Sequence, residues 1–242
     1  IYPDPDCLEI REAISKHISN TKHKIPIERV FVGNGSNEIL HLISRIKLSQ
    51  NSTALVMTPT YGEYEFAFHL SGANIIKFNA NVDKDFRWNF REVSDLIKTK
   101  KPNVVIICNP NNPTGIYSKR QEIEILAKAS NKSGSMLVLD EAYLSFVAEP
   151  WNSLSLLKYS NIILVRSMSK NYANPALRLG YALASEDFVS KLRAIQPDWS
   201  VNSLAQKAGI SSLEDNEYLT NARKVVFSAR HYLKKALTNL GL

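Results

Sequence analysis

The chain has 242 residues, 44% of them hydrophobic and 22% charged, with a net charge of +7. Those proportions describe a globular protein and exclude a disordered tail or a membrane span. Apolar runs such as Val104 to Cys108 and Met136 to Leu139 are five residues or shorter, against the ~18 a spanning helix needs. Lysines and arginines alternate with Asp and Glu and form no stripe interleaved with aromatics, so the positive field predicts acidic or phosphorylated small molecules as ligands and no nucleic-acid partner.

Two cysteines, Cys7 and Cys108, lie far apart, and Cys108 falls inside an apolar strand pattern, which predicts buried free thiols without a disulfide framework or a metal site. The opening Ile1-Tyr-Pro-Asp-Pro-Asp6 shows neither a basic nor an apolar leader region, so a cytoplasmic location is expected. The sequons at Asn34, Asn51 and Asn131 carry no weight in that setting.

In chain order, an amphipathic helix is predicted from about Leu8 to Ile18, a strand over Arg29 to Gly33 and a helix over Asn37 to Ile46. A strand over Ala54 to Met57, a helix from about Tyr61 to Leu70, a strand over Ala73 to Lys77 and a helix over Phe90 to Lys98 follow. Strands recur at Asn103 to Cys108, Ser135 to Leu139, Asn161 to Val165 and Leu179 to Ala184, with a helix at Ser118 to Ser130. From Glu214 the pattern reads as a single long helix through Asn239. Strands rich in Val, Ile and Leu that alternate with helices predict a three-layer α/β/α fold around a mostly parallel sheet. The expected division is a large ligand-binding domain over residues 1–213, with residues 214–242 leading into a small C-terminal domain beyond this chain.

Ligands of such sheets sit beyond the carboxyl ends of the strands. The polar clusters occupy those positions: Gly33-Asn-Gly-Ser-Asn37, Thr58-Pro-Thr-Tyr61, Asn109-Pro-Asn-Asn-Pro-Thr-Gly115, Asp140-Glu-Ala-Tyr143 and Ser167-Met-Ser-Lys170. Lys170 is the most informative of these residues. A lysine at a strand end, beside two serines and an arginine, can form a Schiff base with an aldehyde cofactor whose phosphate its neighbours grip. Pyridoxal 5'-phosphate asks for four things, and each has a candidate. Lys170 offers the amine, and Asp140 an anion for the pyridinium nitrogen. Asn112 and Tyr143 offer donors for the ring hydroxyl. Backbone N–H groups at Ser36 and Asn37 at a helix N-terminus, with Ser167, Ser169 and Arg178, offer a phosphate cradle. Tyr61 is placed to stack on the ring, with Tyr64 the weaker candidate. The run Gly33 to Glu38 lacks the third glycine of a dinucleotide fingerprint, and no P-loop is present.

Asn109 to Gly115, Asp140 to Tyr143, Ser167 to Lys170 and Leu177-Arg-Leu-Gly-Tyr181 occur in this order, with Asn112, Asp140 and Lys170 separated by 28 and 30 residues (140 − 112 and 170 − 140). Together they resemble the class I/II aminotransferases of fold type I. Tyr2-Pro-Asp4 and Gly33-Asn-Gly-Ser-Asn-Glu38 resemble the branch that holds histidinol-phosphate aminotransferase and threonine-phosphate decarboxylase. The resemblance implies a homodimer with shared sites, in which Tyr2 reaches the cofactor phosphate of the partner subunit. It also implies an amino compound and a 2-oxo acid as substrates, and a carboxylate-clamping arginine in the C-terminal domain. Within the branch the signals divide. Gly33 to Glu38 and Asp140 to Tyr143 look like the aminotransferase, whereas Tyr61-Gly-Glu-Tyr-Glu65, Lys170 to Pro175 and Trp199 to Asn202 look like the decarboxylase. A non-catalytic binding module on the same fold is the third alternative, disfavoured because such a module need not keep Lys170.

Overall fold

The computed structural model describes residues 2–19, 21–215 and 217–241. Its centre is a seven-stranded sheet of β1 (Val30–Asn34), β2 (Thr53–Thr58), β3 (Asn74–Asn79), β4 (Val104–Cys108), β5 (Met136–Asp140), β6 (Ile162–Ser167) and β7 (Leu179–Leu183), in the order β1-β7-β6-β5-β4-β2-β3. The strands β3, β2, β4, β5 and β6 pair in parallel, while β7 is antiparallel to both β6 and β1. The expected mostly parallel three-layer architecture is therefore what forms.

The layers follow from the period of two along each strand. On β5, Leu137 and Leu139 join one core with the helices α1 (Leu8–Ile18), α4 (Phe90–Lys100), α5 (Arg120–Ser133) and α8 (Ser203–Glu214). Met136 and Val138 join the opposite core with α2 (Gly35–Lys47), α3 (Glu63–Leu70) and α7 (Glu186–Ile195). Both faces being covered, every residue of β4 and β5 is buried, which explains why these strands read as continuous apolar runs and not as alternating ones. The edge strand β3 is partly exposed, as an uncovered edge should be.

Most predicted elements recur with ends displaced by one to three residues, but two expectations need correction. The helix expected from Tyr61 begins at Glu63, and the carbonyls of Tyr61 and Gly62 accept from Tyr64 and Phe66, so Tyr61 stays in the loop before α3. The helix expected from Glu214 starts four residues later: α9 covers Tyr218–Asn239, and Glu214 instead ends α8 (Ser203–Glu214). The Asp215 carboxylate accepts from the N–H groups of Glu217 at 3.1 Å and Tyr218 at 2.9 Å and so sets the start of α9 beyond the expected one. The segments forming α7 and α8 had not stood out in the sequence pattern. Among the described residues no helix is long and apolar enough to cross a membrane.

Because β7 is reversed, its amino end lies at the same edge as the carboxyl ends of β1 and β6: Asn34 pairs with Leu179, and Ser167 pairs with Gly180. That reversal brings Arg178, just before β7, to the edge where the other polar clusters end. Leu137 is fully buried in β5 between the parallel neighbours β4 and β6. Leu137→Ala is expected to lower the free energy of unfolding by about 2–5 kcal/mol, and urea denaturation checks it; an unchanged midpoint would contradict this packing.

Candidate active site

One cleft at this edge, with a cavity volume of about 120 Å³, is lined by Ser36, Asn37, Tyr61, Tyr64, Cys108, Asn112, Asp140, Ala142, Tyr143, Ser167, Ser169, Lys170 and Arg178. All the residues predicted from this chain's own sequence are brought together there. Tyr2, expected to serve a partner's site, does not line this cleft; it is 77% exposed and its ring lies 4.8 Å from that of Trp199, centroid to centroid.

Asp140 ends β5 and forms part of the floor. Its carboxylate is 3% exposed, and burial pushes its pKa up, against the opposing pull of two donors. Those donors are the Tyr64 hydroxyl, 2.7 Å from Oδ2, and the Ala142 N–H, 2.9 Å from Oδ1. Cys108 is its register partner on β4, and burial, reinforced by Asp140, holds that thiol at about 12, so it is an unreactive part of the floor. Both cysteines are free and buried, as expected. Burial also pushes the Tyr143 phenol up, with Cys108 and Asp140 adding to the effect, so its hydroxyl stays protonated and available as a donor.

At the other end of the cleft three chain segments pack closely together. Gly35 opens α2 with φ +76, and a Cβ there would meet Arg178 Nη2 at 2.7 Å. A Cβ on Gly180 would lie 2.5 Å from the Ser36 nitrogen. Only glycines permit the start of α2, the guanidinium of Arg178 and the start of β7 to converge in this way. Arg178 itself takes a left-handed backbone conformation, φ +59, and is steadied by a bond from Nη1 to the Pro175 carbonyl at 3.0 Å. Ser167 and Ser169 lie with their hydroxyls 2.7 Å apart at the end of β6, and Lys170 follows in the four-residue helix α6 (Met168–Asn171). Helix N-terminal amides, two hydroxyls and a forked cation make a cradle for an anion of phosphate type.

The Asn109-Pro-Asn-Asn-Pro-Thr-Gly loop resolves into separate jobs that the sequence alone did not distinguish. Asn109 is 1% exposed and ties the loop to Ser118, accepting its N–H at 2.6 Å and donating to its carbonyl at 3.3 Å. Asn111 donates to the Pro59 carbonyl at 2.9 Å and to Thr114 Oγ1 at 2.8 Å, and it accepts from Thr60 Oγ1 at 2.8 Å. It thereby fastens this loop to the one that carries Tyr61. Asn112 alone is left to face the cleft.

Two supporting residues were missed at the sequence level. Glu38 accepts from the Asn34 N–H at 2.7 Å, from Gln196 Nε2 at 3.0 Å and from the Ser200 hydroxyl at 3.3 Å, locking the turn before α2 to the segment that holds Trp199. Its place four residues after Asn34 was the available signal. Glu141, next to Asp140, is buried and bonded to Arg166 at 2.9 Å on the neighbouring strand. No sequence spacing announces that pair, because 25 residues and a strand crossing separate its members.

A covered parallel sheet whose carboxyl edge gathers an amine, a buried carboxylate and an anion cradle defines an α/β domain built to hold a charged small molecule. The family model for aminotransferases of class I and II matches residues 1–242, and the chain belongs to that family. The histidinol-phosphate aminotransferase of Clostridium novyi (strain NT) is 30% identical over 240 residues, covering 99% of this chain and 64% of that protein. The solved histidinol-phosphate aminotransferase from Sinorhizobium meliloti, in complex with pyridoxal-5'-phosphate, shares the fold with a TM-score of 0.91 at 20% identity, over 100% of this chain and 64% of that one. The L-threonine-O-3-phosphate decarboxylase from Porphyromonas gingivalis matches with a TM-score of 0.76 at 27% identity, over 91% of this chain and 65% of that one. The chain thus spans slightly less than two thirds of the length of these proteins.

Because Asp140 is buried, its raised pKa has a consequence for the ligand-free protein. A carboxyl whose folded pKa lies above its unfolded one favours the folded state most below the unfolded pKa, and that contribution is lost as pH rises through the folded pKa. Ligand-free wild type is therefore expected to lose stability relative to Asp140→Asn as pH rises out of the acid range. Melting curves of both proteins at several pH values check this, and a constant difference between them would show that Asp140 is not desolvated.

Proposed function

We propose that this chain is the larger, cofactor-binding part of a pyridoxal-phosphate-dependent aminotransferase that moves an amino group between an amino compound of histidinol-phosphate type and a 2-oxo acid. The observation that carries the reading is the convergence of Lys170, Asp140 and the Ser36, Ser167, Ser169 and Arg178 cradle on one cleft. The donor set fits the cofactor at both ends. Ser36, Asn37, Ser167, Ser169 and Arg178 on one side of the cleft suit a phosphate, and a buried carboxylate that is costly without a cationic partner suits a pyridinium nitrogen.

In this reading Ser167, Ser169, Arg178 and the amides of Ser36 and Asn37 bind the phosphate and fix the position of the whole ligand. Asp140 holds a proton at the ring nitrogen. Tyr143 and Asn112 orient the ring by donating to its hydroxyl oxygen, and Tyr61 covers one ring face and keeps water from it. The bound cofactor supplies an electrophilic carbon and a ring that accepts the electron pair of a bond broken at the substrate's α carbon. The Lys170 amine would take a proton from the substrate's α carbon and return it elsewhere, acting as base and then acid.

The same reading carries the remaining proposals. Residues 1–213 form the cofactor-binding domain and residues 214–242 lead into a small domain. The protein works as a homodimer in the cytoplasm, with Tyr2 completing the partner's phosphate site. The exposure of the Tyr2 and Trp199 rings supports a contact beyond this chain, and two free buried thiols suit a reducing compartment. Threonine-phosphate decarboxylase is the second reading, supported by the run Tyr61 to Glu65 and by the 27% identity to the Porphyromonas gingivalis enzyme.

Purified protein is expected to be yellow or to turn so on adding pyridoxal phosphate, and borohydride should fix the cofactor to Lys170, as peptide mass mapping would read. Lys170→Ala should abolish both the fixation and turnover, by a factor of about 10³ or more. A wild-type protein that stays colourless would refute the reading. Amino transfer to 2-oxoglutarate supports the first chemistry, and carbon dioxide released from threonine phosphate supports the second.

A further inference from the structure

Asp140 is held by a residue that the sequence ranked only as a weak stacking candidate. Tyr64 is fully buried in α3, on the side of the sheet opposite α1, and its hydroxyl donates to Asp140 Oδ2 at 2.7 Å. The Ala142 N–H occupies one lone pair of Oδ1, so the carboxylate is gripped at both oxygens. Each oxygen of a carboxylate can accept more than one hydrogen bond, so acceptor capacity remains for a ligand. The Tyr64 ring also stands edge-on to Tyr61, with centroids 5.6 Å apart and planes at 85°. One side chain therefore contacts both the anion on the cleft floor and the aromatic residue at its rim.

Resting on the cofactor reading above, we propose that Tyr64 is a positioning residue that sets the proton affinity of Asp140, and through it the charge on the ring nitrogen of the bound cofactor. The direction of donation is fixed by chemistry: burial and the nearby Asp140 hold the Tyr64 phenol well above its ordinary pKa, so it keeps its proton and can only give the bond to the carboxylate. A donor to a carboxylate stabilises its charged form. With Tyr64 in place Asp140 competes weakly for the shared proton, and the proton stays on the ring. Without it Asp140 takes a larger share, the ring draws electrons less strongly, and the nitrogen joining Lys170 to the cofactor holds its own proton more tightly.

The test is a pH titration of the visible absorption of the cofactor-loaded protein, in wild type, in Tyr64→Phe and in Phe68→Leu. Phe68 is buried in the same helix and the same core but does not line the cleft, so its variant reports packing loss alone. The Tyr64→Phe midpoint is expected to rise by about one pH unit, the order expected for one hydrogen bond to a charged group, while the Phe68→Leu midpoint stays put. Replacing Tyr64 by 3-fluorotyrosine, a stronger donor that keeps the ring, should move the midpoint down, and it serves in place of the phenylalanine variant if that one does not fold. Equal midpoints in wild type and the Tyr64 variants, or an equal shift in Phe68→Leu, would overturn the role of Tyr64 and leave the cofactor assignment intact. A wild type with no absorption band would instead remove the cofactor assignment and this inference together.

Discussion

A carboxylate buried at the end of a central strand is the constraint around which the site is arranged. Asp140 is flanked in the sheet by Cys108 and Val165, and two donors reach its oxygens. An ionised carboxyl in such a place costs several kcal/mol unless it is bonded and opposed by a cation. The nearest side chains relieve only part of that cost, by hydrogen bonds and not by charge. Burial therefore still pushes the Asp140 pKa up and favours its protonated form in the ligand-free protein.

The rest of the edge gathers the remaining polar residues around the same cleft as that carboxylate. The reversal of β7 is the decisive topological step, because it turns the residue before a strand, Arg178, into a neighbour of the residues after β1 and β6. Gly35 and Gly180 then let the start of α2, Arg178 and the start of β7 pack closely together. The distance from cradle to carboxylate is set by the sheet, whose strands are buried on both faces and cannot shift independently.

Rigid connections carry that precision into the loops. Asn111 joins the loop of Asn112 to the loop of Tyr61, Glu38 joins the turn before α2 to the segment of Trp199, and Glu141 joins β5 to Arg166 on β6. Each replaces water around a polar group by a fixed partner, so the residues facing the cleft do not have to hold themselves in place. In contrast, α9 buries none of its residues, and its Val225, Phe227, Tyr232 and Leu233 stay exposed.

The sequence by itself determined which residues line the cleft and the layer architecture. Apolar runs of strand length report burial on two faces, and polar residues that interrupt them at strand ends report the ligand edge, so Lys170, Asp140, Asn112, Tyr143 and Arg178 were legible one by one. Helix boundaries were less legible: α8 did not stand out, and the Asp215 bonds to Glu217 and Tyr218 place the start of α9 four residues after the expected one. What only the tertiary structure decided is how distant residues are paired. Tyr64 reaches Asp140 across 76 residues and Arg166 reaches Glu141 across 25, and no local pattern records such contacts because they depend on which strands lie side by side. Periodicity tells a residue which way to face; the order and direction of the strands decide what it meets there.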